Sequence, residues 1–539
     1  MYIEPLLPIE ISEFDSIRRS GAIYVDKTRA LFDLCRGDRK IFLSRPRRFG
    51  KTLLVSTFES LFRHGTKDFL GLEIERLWRD TIYLVLRLDF SIARDFSTLE
   101  DFVFQLDDVF SSAFQRAGLE WKKSHAPVEA FLSFLSRQPS RSVVVLIDEY
   151  DAPLTAHLQD PVLFAKVQKV LARFYAVLKS LSGSLRFLFM TGITKFGQTS
   201  IFSAFNNLTD ISLDPTYGAL VGYTEEELRK YFGPYLKRAA EVLHLSDSDL
   251  LRKLRMHYDG FSFDATASTH VYAPWSVLNF LSAPGLGFAN YWFRSGGQPT
   301  VLSQYLLHNE LADPSSYAKE KFVSLSAFDA SGTYADMDPV VLLTQTGYLT
   351  IKSVRSNGVV ELGYPNQEVA VSMAQLYADR LLRNKPFVEE DGKSLKALLA
   401  SGSVDDVAGY FNDVFNAMDY VNYPVTNEAM CRAYLQVLMI GTSLVPNVEL
   451  HSALGRSDLE VDSGDRHWVF EIKFCRNDED PEKKLLEGKS QVLSRRYGVS
   501  PRRRQLKFVV LFFSEKNRRF DRWVEIPPGG VCGKNPEPA

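Results

Sequence analysis

The chain has 539 residues, 45% of them hydrophobic, 24% charged and 13% aromatic, which is too long for one hydrophobic core and too apolar for a disordered polypeptide. Its 64 Lys and Arg nearly cancel 66 Asp and Glu, so the overall basic charge of a coating or histone-like protein is excluded and any nucleic-acid contact has to be local. Cys35, Cys431, Cys475 and Cys532 lack CxxC spacing, against a zinc ribbon or disulfide framework; with no export signal and no apolar run of about 18 residues, a cytoplasmic protein without a membrane span is expected.

From the N-terminus, short apolar runs KIFLS (40–44), IYLVLRLDF (82–90), SVVVLID (142–148) and LRFLFMTGI (185–193) read as strands buried on both faces. Helical patterns follow at 52–63, 99–116 and 161–181, so residues 1–221 form βαβ units and a mostly parallel sheet of the P-loop NTPase kind. GYTEEELRKYF places Thr224 before a run of glutamates, a good helix start, and 222–383 reads as a helical lid or connector. A charged, small-residue stretch near 384–405 opens an α/β domain over 384–525, and the Pro- and Gly-containing tail 526–539 is expected to lack order.

IFLSRPRRFGKTLL sets a strand, a tight turn, Gly-Lys-Thr and a helix in the order that phosphate binding requires. Backbone amides at a helix N-terminus point at the anion, Lys51 reaches the terminal phosphates and Thr52 supplies a magnesium ligand. The loop comprises Arg45, Pro46, Arg47, Arg48, Phe49, Gly50, Lys51 and Thr52. Arg45 stands where GxxxxGK[ST] has glycine, and the three arginines are expected to add positive charge. Strand 142–148 ends in Asp148, a water-mediated magnesium ligand, and Glu149, which polarises the attacking water. MTGITKF offers Thr191 or Thr194 as a polar sensor of the terminal phosphate and Lys195 as a charge.

Near the C-terminus, GRSDLEVDSGDRHWVFEIKF reads as a hairpin with its turn at SGDR. Strand alternation puts Glu471 and Lys473 on one face, with Phe470, Ile472 and Phe474 on the other. Asp458 and Glu471 can hold magnesium or manganese while Lys473 orients the water that attacks a phosphodiester. Glu428 lies on an upstream helix, Gln491 and Tyr497 on a downstream one. Arg495, Arg496, Arg502, Arg503, Arg504 and Lys507 form a basic cluster that either meets a nucleic-acid backbone or is a solvated loop. A surface strand with Glu and Lys on its wet face is the competing reading of FEIKF. His257, His451 and His467 lack ligand spacing and are expected to be structural.

The segments YVDKTRALFDL, RPRRFGKTLL, LIDEYDAPL, TGITKFGQTSIFSAFNNLTDISL, VGYTEEEL, HYDGFSF, VYAPWSVLNFL, QTGYLTIK, GYPNQEV and GRSDL…FEIKF together resemble bacterial and archaeal proteins that join an AAA-ATPase-like domain to a PD-(D/E)XK nuclease-like domain. In that family arginine is common at the position of Arg45. The resemblance implies ATP and magnesium at Gly50, Lys51, Thr52 and Asp148, and a nuclease-like site at Asp458, Glu471 and Lys473. Three readings follow: an ATPase coupled to a domain that cleaves nucleic acid, an ATP-driven switch whose C-terminal domain binds nucleic acid or a protein without cutting, and a scaffold with a relic loop. Substrate, oligomeric state and any arginine finger are not legible in the sequence.

Overall fold

The computed structural model describes residues 5–158, 160–195, 208–294, 321–329, 338–382, 394–442, 444, 446–448, 451–452, 455–456, 458–495 and 505–527. The chain divides into two compact units, Met1–Tyr305 with Glu320–Val369, and Leu306–Lys319 with Ala370–Ala539. The division falls inside the helix Gln367–Leu381. The tail 528–539 lies outside the described residues.

In the first unit, strands β1 (Lys40–Ser44), β2 (Leu84–Asp89), β3 (Val143–Asp148), β4 (Leu185–Gly192) and β5 (Thr209–Asp210) form a parallel sheet in the order β2-β3-β4-β1-β5. All six residues of β3 and all eight of β4 are buried, which is why their sequences are made mostly of consecutive apolar side chains rather than alternating ones. Each such side chain contributes roughly 1.5–3 kcal/mol by leaving water. One face is covered by the helices Leu99–Arg116 and Pro161–Ser180, whose Phe110 and Phe174 lie 5.5 Å apart. The other receives the helix Lys51–His64 through Phe58 against Phe187 and Phe189.

Thr224 caps the helix Glu225–Val242 in a reciprocal pair with Glu227: its hydroxyl accepts the Glu227 N–H and the Glu227 carboxylate accepts its own. Lys27 then ties the N-terminal segment to that cap through Glu227 at 2.6 Å. The connector is not purely helical. Strands β6 (Lys321–Ser324), β7 (Thr350–Val354) and β8 (Val359–Gly363) form an antiparallel sheet in the order β6-β8-β7. The signal for it is Asn357–Gly358, a hairpin dipeptide in which Gly358 takes φ 79° between two short β-rich runs.

In the second unit, β9 (Asn447–Val448), β12 (Leu459–Ser463), β13 (Arg466–Cys475), β14 (Gln505–Ser514) and β15 (Arg519–Ile526) form a mixed sheet in the order β15-β14-β13-β12-β9. Only β13 and β14 pair in parallel, and β10 (His451–Ser452) pairs separately with β11 (Gly455–Arg456). One face packs Phe470 and Phe513 against Phe411 and Phe415 of the helix Val404–Ala417. The other face carries Val469, Glu471, Lys473 and Cys475. Over it lies the helix Pro481–Arg495, where a side chain at Gly488 would stand 3.1 Å from Cγ of Lys473.

Candidate functional site

In the first unit, parallel pairing brings the C-terminal ends of β1, β3 and β4 to one edge. Ser44 sits level with Gly192, and Asp148 level with Asp89 on β2; open parallel sheets bind ligands at this edge. The loop after β1 turns through Arg48 at φ 68° and Gly50 at φ 93°, conformations that cost a non-glycine residue roughly 1–2 kcal/mol. Gly50 can offer no side-chain cap to the helix Lys51–His64, and the first amides of that helix have no carbonyl partner within it.

Lys51 is buried, and its ammonium donates to the carbonyls of Arg45 and Pro46, both at 2.9 Å. Burial lowers its pKa, against the pull of Glu149, Asp148 and Asp151. Burial pushes the Asp148 carboxyl up to about 6, although the Lys51 ammonium and then the Thr52 hydroxyl favour its charged form. Lys51, Thr52, Asp148 and Glu149 therefore meet, with Asp89 as a further carboxylate near Asp148 that the motif did not reveal. Glu149 adopts φ 50°, a strained conformation of the kind that clusters at functional sites.

The loop's arginines part company. Arg45 was expected to add charge beside the phosphates; instead it is 1% exposed, lies 4.5 Å over the Phe263 ring and donates to the carbonyls of Ser44, Ser212 and Tyr217. Burial brings its pKa down to about 9. It is an anchor for the end of β1, a position where a long guanidinium satisfies three carbonyls that a glycine would leave bare. Arg48 lies 4.3 Å over Trp275. Pro46 packs against Gly347, where a Cβ would come within 2.8 Å of it, and Phe49 meets Phe261 and Phe263 edge-on at 4.8 and 5.1 Å.

Thr191 is fully buried on β4 and its hydroxyl has no hydrogen-bond partner among the described residues. Thr194 and Lys195, the other candidates, are engaged elsewhere: the Thr194 hydroxyl and amide both donate to Asp151, at 2.7 and 2.8 Å, and Lys195 pairs with Asp210 at 2.7 Å. Asp151, 1% exposed, was missed in the sequence. It stitches the end of β3 to the turn after β4, and Tyr150 reinforces the join by donating to the Thr194 carbonyl at 2.8 Å. A cavity of about 650 Å³ opens over the loop, lined by Arg47, Lys51, Thr52 and Glu149 and also by the apolar side chains of Val25 and Leu278.

In the second unit, Glu471 is 1% exposed and Lys473 6% exposed, so the surface-strand reading of FEIKF is excluded. Leu459 pairs with Phe470, which sets Asp458 opposite Glu471. Asp458 accepts the Ile472 N–H at 2.8 Å and stands 3.4 Å from Arg432. The Lys473 ammonium lies 2.9 Å from Glu471 and 3.7 Å from Glu428, the first residue of the helix Glu428–Gly441. Burial, and then the like charge of Asp458, push the Glu471 carboxyl up to about 7. Burial works against the Lys473 ammonium, but Glu471, Glu428 and Asp458 together outweigh it and its pKa is raised. The second Glu471 oxygen is buried with no hydrogen-bond partner among the described residues. Among those residues no three His, Cys, Asp or Glu are grouped as a metal cage.

His467 sits between Asp462 at 2.7 Å and Glu460 at 3.2 Å, and His257 stacks on Phe288. Lys507, from the expected basic cluster, pairs with Glu525 at 2.6 Å. Arg496, Tyr497, Arg502, Arg503 and Arg504 lie outside the described residues, as do the side chains of His451, Gln491 and Arg495. Among the described residues no helix is long and apolar enough to cross a membrane.

Residues 8–202 match a family described as a predicted AAA-ATPase, and residues 427–523 match the PD-(D/E)XK nuclease superfamily. Over 478 residues the chain is 30% identical to a protein of Azotobacter chroococcum mcd 1 described as "Uncharacterized protein in vnfD 5'region"; the match spans 87% of this chain and 89% of that one.

Proposed function

Since this chain belongs to the family that joins a predicted AAA-ATPase domain to a PD-(D/E)XK nuclease superfamily domain, we propose that it binds and hydrolyses ATP in the first unit and acts on nucleic acid with the second. The observation that carries the first half is the convergence of Thr52 and Asp148 with the buried Lys51 ammonium, whose hydrogen bonds among the described residues go to its own loop's carbonyls. Phosphate oxygens would take over Lys51 from those carbonyls, and the amides of the loop helix would supply further donors.

The cavity of about 650 Å³ suits a nucleotide, with the base against its apolar side chains. Glu149 takes a proton from the water as that oxygen attacks the terminal phosphorus, and the bond to the bridging oxygen breaks to leave ADP and phosphate. Thr191 donates its free hydroxyl to the terminal phosphate. Thr52 and Asp148 would hold magnesium, which neutralises charge on the phosphates.

For the second unit, the unpartnered oxygen of Glu471 fits a divalent cation shared with Asp458, which would activate water and polarise a phosphodiester. Lys473 keeps that water oriented. A second reading, favoured by the ion pairs that Lys473 already makes with Glu471 and Glu428, is a domain that holds nucleic acid or a partner without cutting it.

Binding of labelled ATP by the full chain and by Lys51→Ala tests the first half: a clear wild-type signal lost in the variant is expected, and identical weak signals would leave the loop a relic. Magnesium- or manganese-dependent cleavage by wild type and Lys473→Ala tests the second. Cleavage lost in the variant is expected; equal activity, or none under any condition, favours the non-cleaving domain.

A further inference from the structure

Resting on the reading of the first unit as an ATPase, we propose that Arg94 supplies, from within the same chain, the guanidinium that meets the terminal phosphate of ATP during hydrolysis. Arg94 follows β2, the strand whose last residue Asp89 lies level with Asp148. The sheet order thus brings it to the side of β3 away from the phosphate loop, where the terminal phosphate would point.

Arg94 lines the cavity over the loop together with Lys51, Thr52 and Glu149, and it also lines an adjoining polar cavity of about 520 Å³ with Arg47, Asp101 and His157. It therefore stands in the wall between the nucleotide and solvent. Its guanidinium has no ion pair or hydrogen bond among the described residues, in contrast to the buried Arg45, Arg87 and Arg186, each of which is satisfied by carbonyls or carboxylates.

The backbone that carries it is fixed. His157 hydrogen-bonds the Arg94 carbonyl at 3.1 Å and its ring lies 3.9 Å from that of Phe96. Ala93, just before it, is fully buried. A half-buried, uncompensated guanidinium on a held backbone is preorganised for a charge that the free protein lacks. As the bond to the bridging oxygen breaks, that charge is spread over the three equatorial phosphoryl oxygens and the leaving oxygen, where a guanidinium stabilises it. ADP lacks the terminal phosphoryl group, so Arg94 distinguishes reaction from binding.

The test is steady-state ATP hydrolysis by the full chain, with ADP affinity measured alongside, for wild type, Arg94→Ala and Arg94→Lys over a wide range of protein concentration. The expected result is a fall in kcat of about a thousandfold in Arg94→Ala, partial recovery in Arg94→Lys, ADP affinity unchanged within about twofold, and a wild-type rate per molecule independent of concentration. Equal kcat in wild type and Arg94→Ala overturns the proposal while leaving the ATPase reading intact. So does a wild-type rate per molecule that climbs with concentration, which assigns the arginine to a neighbouring copy. A wild type that binds no ATP overturns both. Unchanged ADP affinity in the variants excludes misfolding as the cause of the loss.

Discussion

Trp292 donates its indole N–H to the main-chain carbonyl of Arg47 at 3.2 Å, across 245 positions of sequence. The same indole stacks edge-on against Tyr348 at 5.2 Å, and its main-chain N–H is held by the buried Glu368 carboxylate at 2.7 Å. The phosphate loop is thus shaped from outside by the connector.

Trp292→Phe keeps an aromatic ring against Tyr348 and removes the donor to Arg47. A loss of about 0.5–1.5 kcal/mol in stability is expected, with ATP affinity several-fold weaker because the loop is less well held. Thermal melting and ATP titration measure the two effects, and a variant that binds ATP like wild type would show that the clamp does not shape the loop.

Gly192 ends β4 where a Cβ would come within 2.5 Å of both the Asp151 carboxylate and the Tyr150 ring. Gly192→Ala must push apart the join between the ends of β3 and β4, at an expected cost of about 1–3 kcal/mol. Gly183→Ala, with nothing within 4 Å of its Cβ, is expected to stay within about 0.5 kcal/mol of wild type. Urea unfolding of both variants decides; equal midpoints would mean that the join yields freely.

Glu368 is 1% exposed, accepts hydrogen bonds from Ser276 and Trp292, and burial pushes its carboxyl up to about 7 from an ordinary 4.5. The folded state therefore holds this proton more tightly than the unfolded one, and stability falls as pH rises from about 4.5 to about 7. The fall is on the order of 3 kcal/mol. In Glu368→Gln that slope disappears, and at pH 8 the variant is expected to melt no lower than wild type. Parallel melting curves across this window would contradict the assignment.

Lys473→Met strands the Glu471 carboxyl in a buried site without its cation. Removing one partner of such a pair costs about 3 kcal/mol, and the cost grows above pH 7 because protonation relieves it below. The double variant Glu471→Gln/Lys473→Met is expected to recover most of that stability. Denaturation at pH 6 and pH 9 separates the terms; an additive double variant would mean that the two side chains do not share the site.

Much of this protein was legible in its residues. The four strands 40–44, 82–90, 142–148 and 185–193 were readable because a strand covered on both faces is a mostly apolar run, and nearly every residue named from them falls within a strand or its end. Glu471 and Lys473 share a face because side chains alternate along any strand. The connector's sheet was passed over because its strands are only four and five residues long, and alternation over so short a span is easily taken for helix or loop.

By itself the sequence determined which elements form and which side chains leave them together, since both depend on backbone periodicity and turn chemistry within a dozen or so residues. Only the tertiary structure decided which partners those side chains meet. It turned Arg45 toward Ser212 and Tyr217, fastened Thr194 to Asp151 while leaving the Thr191 hydroxyl without a partner among the described residues, and set Arg94 in the cavity with Lys51. The physical reason is that a charged group's direction is fixed by where its hydrogen bonds and desolvation balance, and those partners arrive from strands and loops far away along the chain.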